Sequence, residues 1–199
     1  MNARPKNLEA LLGSRICHDL ISPIGAIGNG LELISLTAAA HGPEMEMIQE
    51  SVTNAQARIR FYRVAYGAST QNQSIANSEI RDVLSGIYGR NRLSLDWQAD
   101  GEVRRDNAKL IFLLLQCVEA SLPYGGTITV SRDVSDWTIV GAGSKFRDLT
   151  ALWGLVTGAA EPEDLTPDQI QFALAALQAD DMGRTVSVQH AADRIVVGF

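Results

Sequence analysis

Ser14-Arg15-Ile16-Cys17-His18-Asp19-Leu20-Ile21-Ser22-Pro23 lies inside the first long apolar-periodic segment of the chain. Around it Leu8, Leu12, Ile16, Leu20, Ile24, Ile27, Leu31 and Ile34 recur at steps of three and four, which predicts one helix from about residue 5 to 38. Ile16 and Leu20 belong to the inward stripe of that helix. His18 follows Ile16 by two positions, a rotation of about 200°, and so projects away from the core. Asp19 sits beside it and Ser22 one turn later. Pro23 falls within the helix, where its missing N–H frees the carbonyl of Asp19 and bends the axis.

The segment AAAHGPE (38–44) carries Gly42 and Pro43, a stop and restart. A second helical pattern runs from about 43 to 67, with Ile48, Val52, Ala55, Ile59, Tyr62 and Tyr66 on its stripe. Two long helices joined by a short connection make a helical hairpin. Each helix has an apolar face wider than one partner can cover. A second copy would cover it and give a symmetric four-helix bundle; the alternative is a hairpin packed only on the rest of its own chain.

Residues 68–78 are small and polar and read as a linker, which divides the chain into 1–70 and 71–199. Beyond it, Ser78 is placed as the cap of a helix from about 79 to 90, and RLSLDWQA reads as a strand. Asp106 to Leu122 reads as a buried helix with Leu110, Leu113, Leu114, Cys117 and Val118 inward. PYGG is a turn, and TITVSRD and SDWTIVGAG form a hairpin of alternating strands. Ala151 to Thr157 reads as a short helix. Thr166 caps a helix from Pro167 to about Ala179, and TVSVQHA and DRIVVGF close the chain as a second hairpin. The fold class is α+β, a helical hairpin followed by one mixed sheet covered by helices on one face.

Among the 199 residues, 46% are hydrophobic and 20% charged, which excludes disorder and collagen-like structure. The net charge of −6 disfavours nucleic acid as a partner. No apolar run is long enough for a signal core or a membrane span, so a cytoplasmic protein away from the membrane is expected. Cys17 and Cys117 both lie in apolar helical segments and are expected to be buried, reduced thiols. No metal site is expected.

The chemistry rests on His18 and Asp19. A neutral imidazole, with a reference pKa of about 6.5, keeps a free lone pair and can attack phosphorus without a strong base. An adjacent carboxylate can hold the other ring N–H, fixing the tautomer and stabilising the charge that develops. Phosphoryl transfer depends mainly on in-line positioning and charge stabilisation. An exposed imidazole on a stiff helix supplies the positioning.

His18-Asp19-Leu20-x-x-Pro23 on the first helix of a hairpin resembles the phosphoacceptor box of dimerising sensor histidine kinases. The resemblance implies that His18 is phosphorylated and that Asp19 assists. It also implies that residues 1–70 are a dimerisation and phosphotransfer domain. Residues 71–199 would then be an α/β sandwich resembling a histidine-kinase ATP-binding domain. LIFLLLQCVEASLPYGGTITV resembles the Asn-rich box of such domains, yet Gln116 and Glu119 stand where a magnesium-binding Asn is needed. The adenine-reading box is replaced by Val140-Gly141-Ala142-Gly143, whose glycines read as turn residues rather than a nucleotide cradle. A kinase-like layout with an intact histidine box and no ATP box is similar to the ChpT-type histidine phosphotransferases of alphaproteobacteria. LEALLGSRICHDLISPIGAIGNGLEL and RFYRVAYG also look like that family.

The resemblance implies a homodimer that takes phosphate from the receiver domain of a hybrid histidine kinase. It passes the group to receiver domains of response regulators. It implies no bound cofactor and no nucleotide, with Mg²⁺ supplied by the receiver. The competing readings are an ATP-using sensor histidine kinase and a non-catalytic dimeric scaffold. Arg15, Ile21, Ser22, Gly25 and Ala26 are candidate partner-binding residues. Ile21, Ser22, Gly25 and Ala26 flank the exposed side, and the small ones among them let a receiver helix approach closely. Arg15 either attracts phosphate or an acidic receiver residue, or is a solvated charge. Arg58, Arg60, Phe61 and Arg63 form a basic and aromatic cluster that either pairs within the subunit or docks a partner. His41 reads as a loop residue and His190 as structural, and Trp97, Trp137 and Trp153 as packing residues.

Overall fold

The first two helices are α1, Leu8–Thr37, and α2, Pro43–Ala65. This computed structural model describes residues 7–37, 43–68, 73–89, 92–160 and 164–199. His41 and most of the 38–44 connection therefore lie outside the described residues. α1 spans 30 residues with Pro23 inside it. Its apolar stripe divides in two. Pro23 is buried, and Gly30 is buried against α2, where a Cβ on it would lie 2.5 Å from Cγ1 of Ile48. Ile24 and Leu31 are instead 58% and 56% exposed. Each step of four advances about 40° around the helix, so these two ride on the shoulder of the stripe, beyond the reach of one facing helix. Ile59 on α2 is left exposed in the same way. Lower on α2, Phe61, Val64 and Ala65 turn into the core of the C-terminal layer, where the Phe61 ring centroid is 4.8 Å from that of Phe112.

That layer contains β1 (Ser74–Ile75), α3 (Asn77–Tyr88), β2 (Leu93–Trp97), β3 (Val103–Arg104) and α4 (Arg105–Ser121). It continues with β4 (Gly126–Asp133), β5 (Asp136–Ala142), α5 (Thr150–Thr157), α6 (Ile170–Asp181), β6 (Ser187–His190) and β7 (Arg194–Gly198). Five strands form one mixed sheet in the order β2-β4-β5-β7-β6. β2 and β4 are parallel and the other pairs antiparallel, so α4 lies on the crossover that parallel strands require. Ile128, Val130, Trp137, Ile139, Ile195 and Val197 alternate along β4, β5 and β7 as the buried face. α4 fills the space above them, with Leu110 to Leu115 and Cys117 to Val118 fully buried. All three tryptophans are packing residues, at most 4% exposed, and Nε1 of Trp153 donates to Ser121 Oγ at 3.1 Å.

Four local expectations change. α3 starts at Asn77 with Ala76 as its cap residue, not with Ser78. The Asn77 side chain instead donates to the carbonyl of Ala99 at 2.7 Å, tying the helix start to the strand region. The helix expected from Pro167 opens with a 3₁₀ turn, Pro167–Gln169, held by a capping box between Thr166 and Gln169. β1 and β3 pair as a separate two-stranded ribbon of two residues each, too short to alternate visibly in sequence. Cys17 is exposed, since it neighbours His18 on the outward side of α1, while Cys117 is buried.

Gly141 and Gly143 are packing glycines rather than turn residues. Gly141 lies within β5, and a Cβ there would sit 2.5 Å from Cγ1 of Val118; one on Gly143 would sit 2.6 Å from Cδ2 of Leu122. They let the end of α4 press directly on the sheet. Gly141→Ala is therefore expected to destabilise by about 1–3 kcal/mol through overpacking, read as a lower midpoint in urea unfolding. An unchanged midpoint would contradict the close approach.

Candidate functional site

α1 holds the His18 imidazole outward, with 87% of the side chain exposed. Asp19, one position on, is turned the other way and only 11% of its side chain is exposed. Oδ1 of Asp19 lies 3.1 Å from Nδ1 of His18. With its proton on Nδ1, the ring donates to that oxygen and keeps the lone pair of Nε2 facing solvent. Oδ2 accepts from Arg15 Nε at 2.9 Å and from the Tyr62 hydroxyl, with Arg58 Nη1 at 3.9 Å. One half-buried carboxylate is thus gripped by its own helix and by α2.

The electrostatics follow from that geometry. Burial alone would raise the Asp19 carboxyl. The Tyr62 hydrogen bond, the positive charge of Arg15, the His18 bond and Arg58 outweigh it, and the group is held below its ordinary value. Asp19 is a full anion at neutral pH. Burial and the bond to Asp19 push the Tyr62 phenol up, so it acts as a hydrogen-bond donor and not as an acid. Tyr66 stacks on Tyr62 with ring centroids 5.2 Å apart, and burial pushes its hydroxyl up to about 12. That hydroxyl donates to Oε1 of Gln116 on α4 at 2.7 Å. A continuous series of contacts therefore runs from His18 through Asp19, Tyr62 and Tyr66 to the core of the C-terminal layer.

Sequence reading reached His18 and Asp19 but left Tyr62 as a stripe residue. The available signal was chemical: a tyrosine on a buried face needs a partner for its hydroxyl. Arg15 is not a solvated charge but an ion pair with Asp19. The basic and aromatic cluster is split. Phe61 is core, Arg58 approaches Asp19, and Arg63 donates to Glu79 at 3.2 Å. Ser22 and Gly25 share the His18 face of α1, at turns of about 40° and −20° from it. Both are exposed, as is Ile21 at 68%, while Ala26 is partly covered. Nothing lies within 4 Å of where a Gly25 Cβ would be. His18 is bordered by a low, open surface.

Gln116 and Glu119 have other duties. The Gln116 amide donates to the carbonyl of Phe112 at 3.2 Å while its oxygen accepts from Tyr66. Glu119 accepts from the Tyr88 hydroxyl at 3.2 Å, and burial raises its carboxyl. His190 is exposed on β6 with its ring edge-on to Trp153. Among the described residues no three His, Cys, Asp or Glu side chains gather as a metal site. No helix among them is long and apolar enough to cross a membrane.

A solvent-facing imidazole, backed by an anchored carboxylate on a helical hairpin and joined to a mixed sheet with helices on one face, is the layout of a histidine phosphotransferase. The chain belongs to that family: the family model for the histidine phosphotransferase C-terminal domain matches residues 77–194. It is of the ChpT type. The protein phosphotransferase ChpT of Brucella abortus (strain 2308) is 32% identical over 196 residues, 96% of this chain and 93% of that protein. A bacterial phosphotransferase solved at 1.7 Å superposes with a TM-score of 0.83 at 30% identity, covering 100% of this chain and 98% of its own.

Proposed function

We propose that the chain relays a phosphoryl group between receiver domains, from a hybrid histidine kinase to response regulators, through a phosphohistidine at His18. The observation that carries this reading is the His18–Asp19 pair, with Nδ1 held at 3.1 Å and the rest of the ring in solvent. Nε2 attacks the phosphorus of a receiver aspartyl phosphate in line, and the aspartate carboxylate leaves. Asp19 stabilises the ring as it becomes positive. In the return step the carboxylate of a second receiver attacks phosphohistidine and the neutral imidazole leaves. Mg²⁺ belongs to the receiver's acidic pocket in both steps. Ile21, Ser22, Gly25 and Ala26 form the surface on which the receiver helix rests, and Arg15 acts through Asp19. Gln116, engaged at both ends of its amide, and the strand position of Gly141 support a C-terminal domain that binds no nucleotide. Residues 1–70 form the dimerisation and phosphotransfer domain, residues 71–199 the kinase-derived domain, and the protein works in the cytoplasm.

The test is transfer in vitro. The purified chain, mixed with a phosphorylated receiver domain and Mg²⁺ but no ATP, is expected to gain label and to lose it to a second receiver. Label that appears only when ATP is added directly to the chain would overturn the reading in favour of a kinase.

The proposal includes a homodimer built on the uncovered shoulder of the hairpin, where Ile24, Leu31 and Ile59 are each more than half exposed. In sedimentation, wild type is expected at twice the chain mass of 21.5 kDa. Ile24→Glu combined with Leu31→Glu is expected to give monomers with unchanged circular dichroism. A monomeric wild type at micromolar concentration would refute the bundle.

A further inference from the structure

A cleft of about 640 Å³ opens where the start of α4, the end of α6 and the β4–β5 turn meet, and it shares no lining residue with the His18 site. We propose that it is a binding site for small molecules bearing phosphate or diphosphate groups. Four cations line it, Arg104, Lys109, Arg132 and Arg184, against two carboxylates, Asp106 and Asp181. In a chain of net charge −6, such a concentration of positive charge in one concavity favours an anion.

Arg104 is neutralised by its neighbour Asp106, while the other three cations keep charge to spare. Arg104 is fixed by two bonds to Asp106, 3.2 Å from Nε and 2.5 Å from Nη2, and Asp106 also accepts from the Asn107 N–H at 2.7 Å. The Arg132 guanidinium lies 5.4 Å from the Trp137 ring centroid, and its Nε donates to the Val134 carbonyl at 3.1 Å. It forms no ion pair with a carboxylate among the described residues. Arg184 approaches Asp136 only loosely, at 3.7 Å, and Asp136 is 77% exposed. Lys109 is half-buried without a carboxylate in contact among the described residues, Asp181 acting on it only through space. Gln178, 5% exposed, also lines the cleft. Planar guanidinium groups and an ammonium around one concavity match the many acceptor oxygens of a phosphate ester. No aromatic ring is exposed in the lining, so the site reads the phosphate and not a base. The volume is within the range of small-molecule sites.

Calorimetry on the full chain at low salt, with pyrophosphate as the probe, tests this. Saturable binding is expected, weakened about tenfold or more by Lys109→Gln and, separately, by Arg184→Gln, and falling with added salt. Both variants are expected to keep the wild-type dichroism and His18 phosphorylation, which separates this cleft from the relay. Adenosine is expected to show no heat. No saturation by about 10 mM pyrophosphate, equal binding by both variants, or binding of adenosine would each overturn the proposal.

Discussion

His18→Gln is expected to reduce phosphoryl transfer from a donor receiver to background, a loss of at least about a thousandfold. Glutamine keeps the length and polarity of an exposed position and is a good helix former, so the fold should not change. What disappears is the ring nitrogen lone pair that bonds to phosphorus. The measurement is single-turnover labelling from a phosphorylated receiver, with circular dichroism and sedimentation as controls. Label retained on the variant at a comparable rate would place the phosphoryl group on another residue and end the relay mechanism. His190 then becomes the one other histidine among the described residues to examine, although no carboxylate among them is hydrogen-bonded to its ring.

Asp19→Asn is the second large effect, and it separates two duties of one side chain. An asparagine can donate to Nδ1, which moves the ring proton to Nε2 and removes the attacking lone pair. The transfer rate is then expected to fall by about a hundred- to ten-thousandfold while receiver binding persists. The same change leaves the Arg15 guanidinium, with 23% of its side chain exposed, without its counter-charge. A stability loss of about 1–3 kcal/mol is expected. Tyr62→Phe should divide the duties differently. It removes one donor to Asp19 but leaves the Nδ1 partner, so transfer should slow by far less than in Asp19→Asn.

The pH dependence has a definite sign. The Asp19 carboxyl titrates below its ordinary value of 3.8 in the fold. Its contribution is complete above the unfolded value and is lost as pH falls through the lower folded one. In Tyr62→Phe the folded value moves back up, the contribution shrinks, and the acid limb of the melting profile shifts to higher pH. Coincident acid limbs for wild type and Tyr62→Phe would show that the hydroxyl does not hold the carboxylate.

The helical hairpin and the α+β layer were legible because their residues repeat: steps of three and four in α1 and α2, alternation in β4, β5 and β7. The outward direction of His18 followed from its two-residue offset from Ile16. Other features have no period to read. Tyr62 meets Asp19 across 43 positions of chain, and nothing local at either residue announces the meeting. That one hairpin leaves part of its apolar face uncovered was expected; that Ile24 and Leu31 are the residues left out was not, because a stripe records which residues are apolar, not how many neighbours divide it. Gly141 looked like a turn because glycine commonly serves there; its reason for being glycine is Val118, on a different element. Asn77 took the start of α3 from Ser78 because the carbonyl of Ala99, remote in sequence, was available to its amide.

The grip of Tyr62 and Arg58 on Asp19 also works as a mechanical latch. It joins the two stems at one height, because sliding α2 by a single turn, about 5.4 Å, would carry both partners out of reach. The sheet layer hangs from the foot of α2 through Phe61, Val64 and Ala65. The distance between the His18 ring and the body of the molecule is therefore a set dimension, a gauge rather than a hinge.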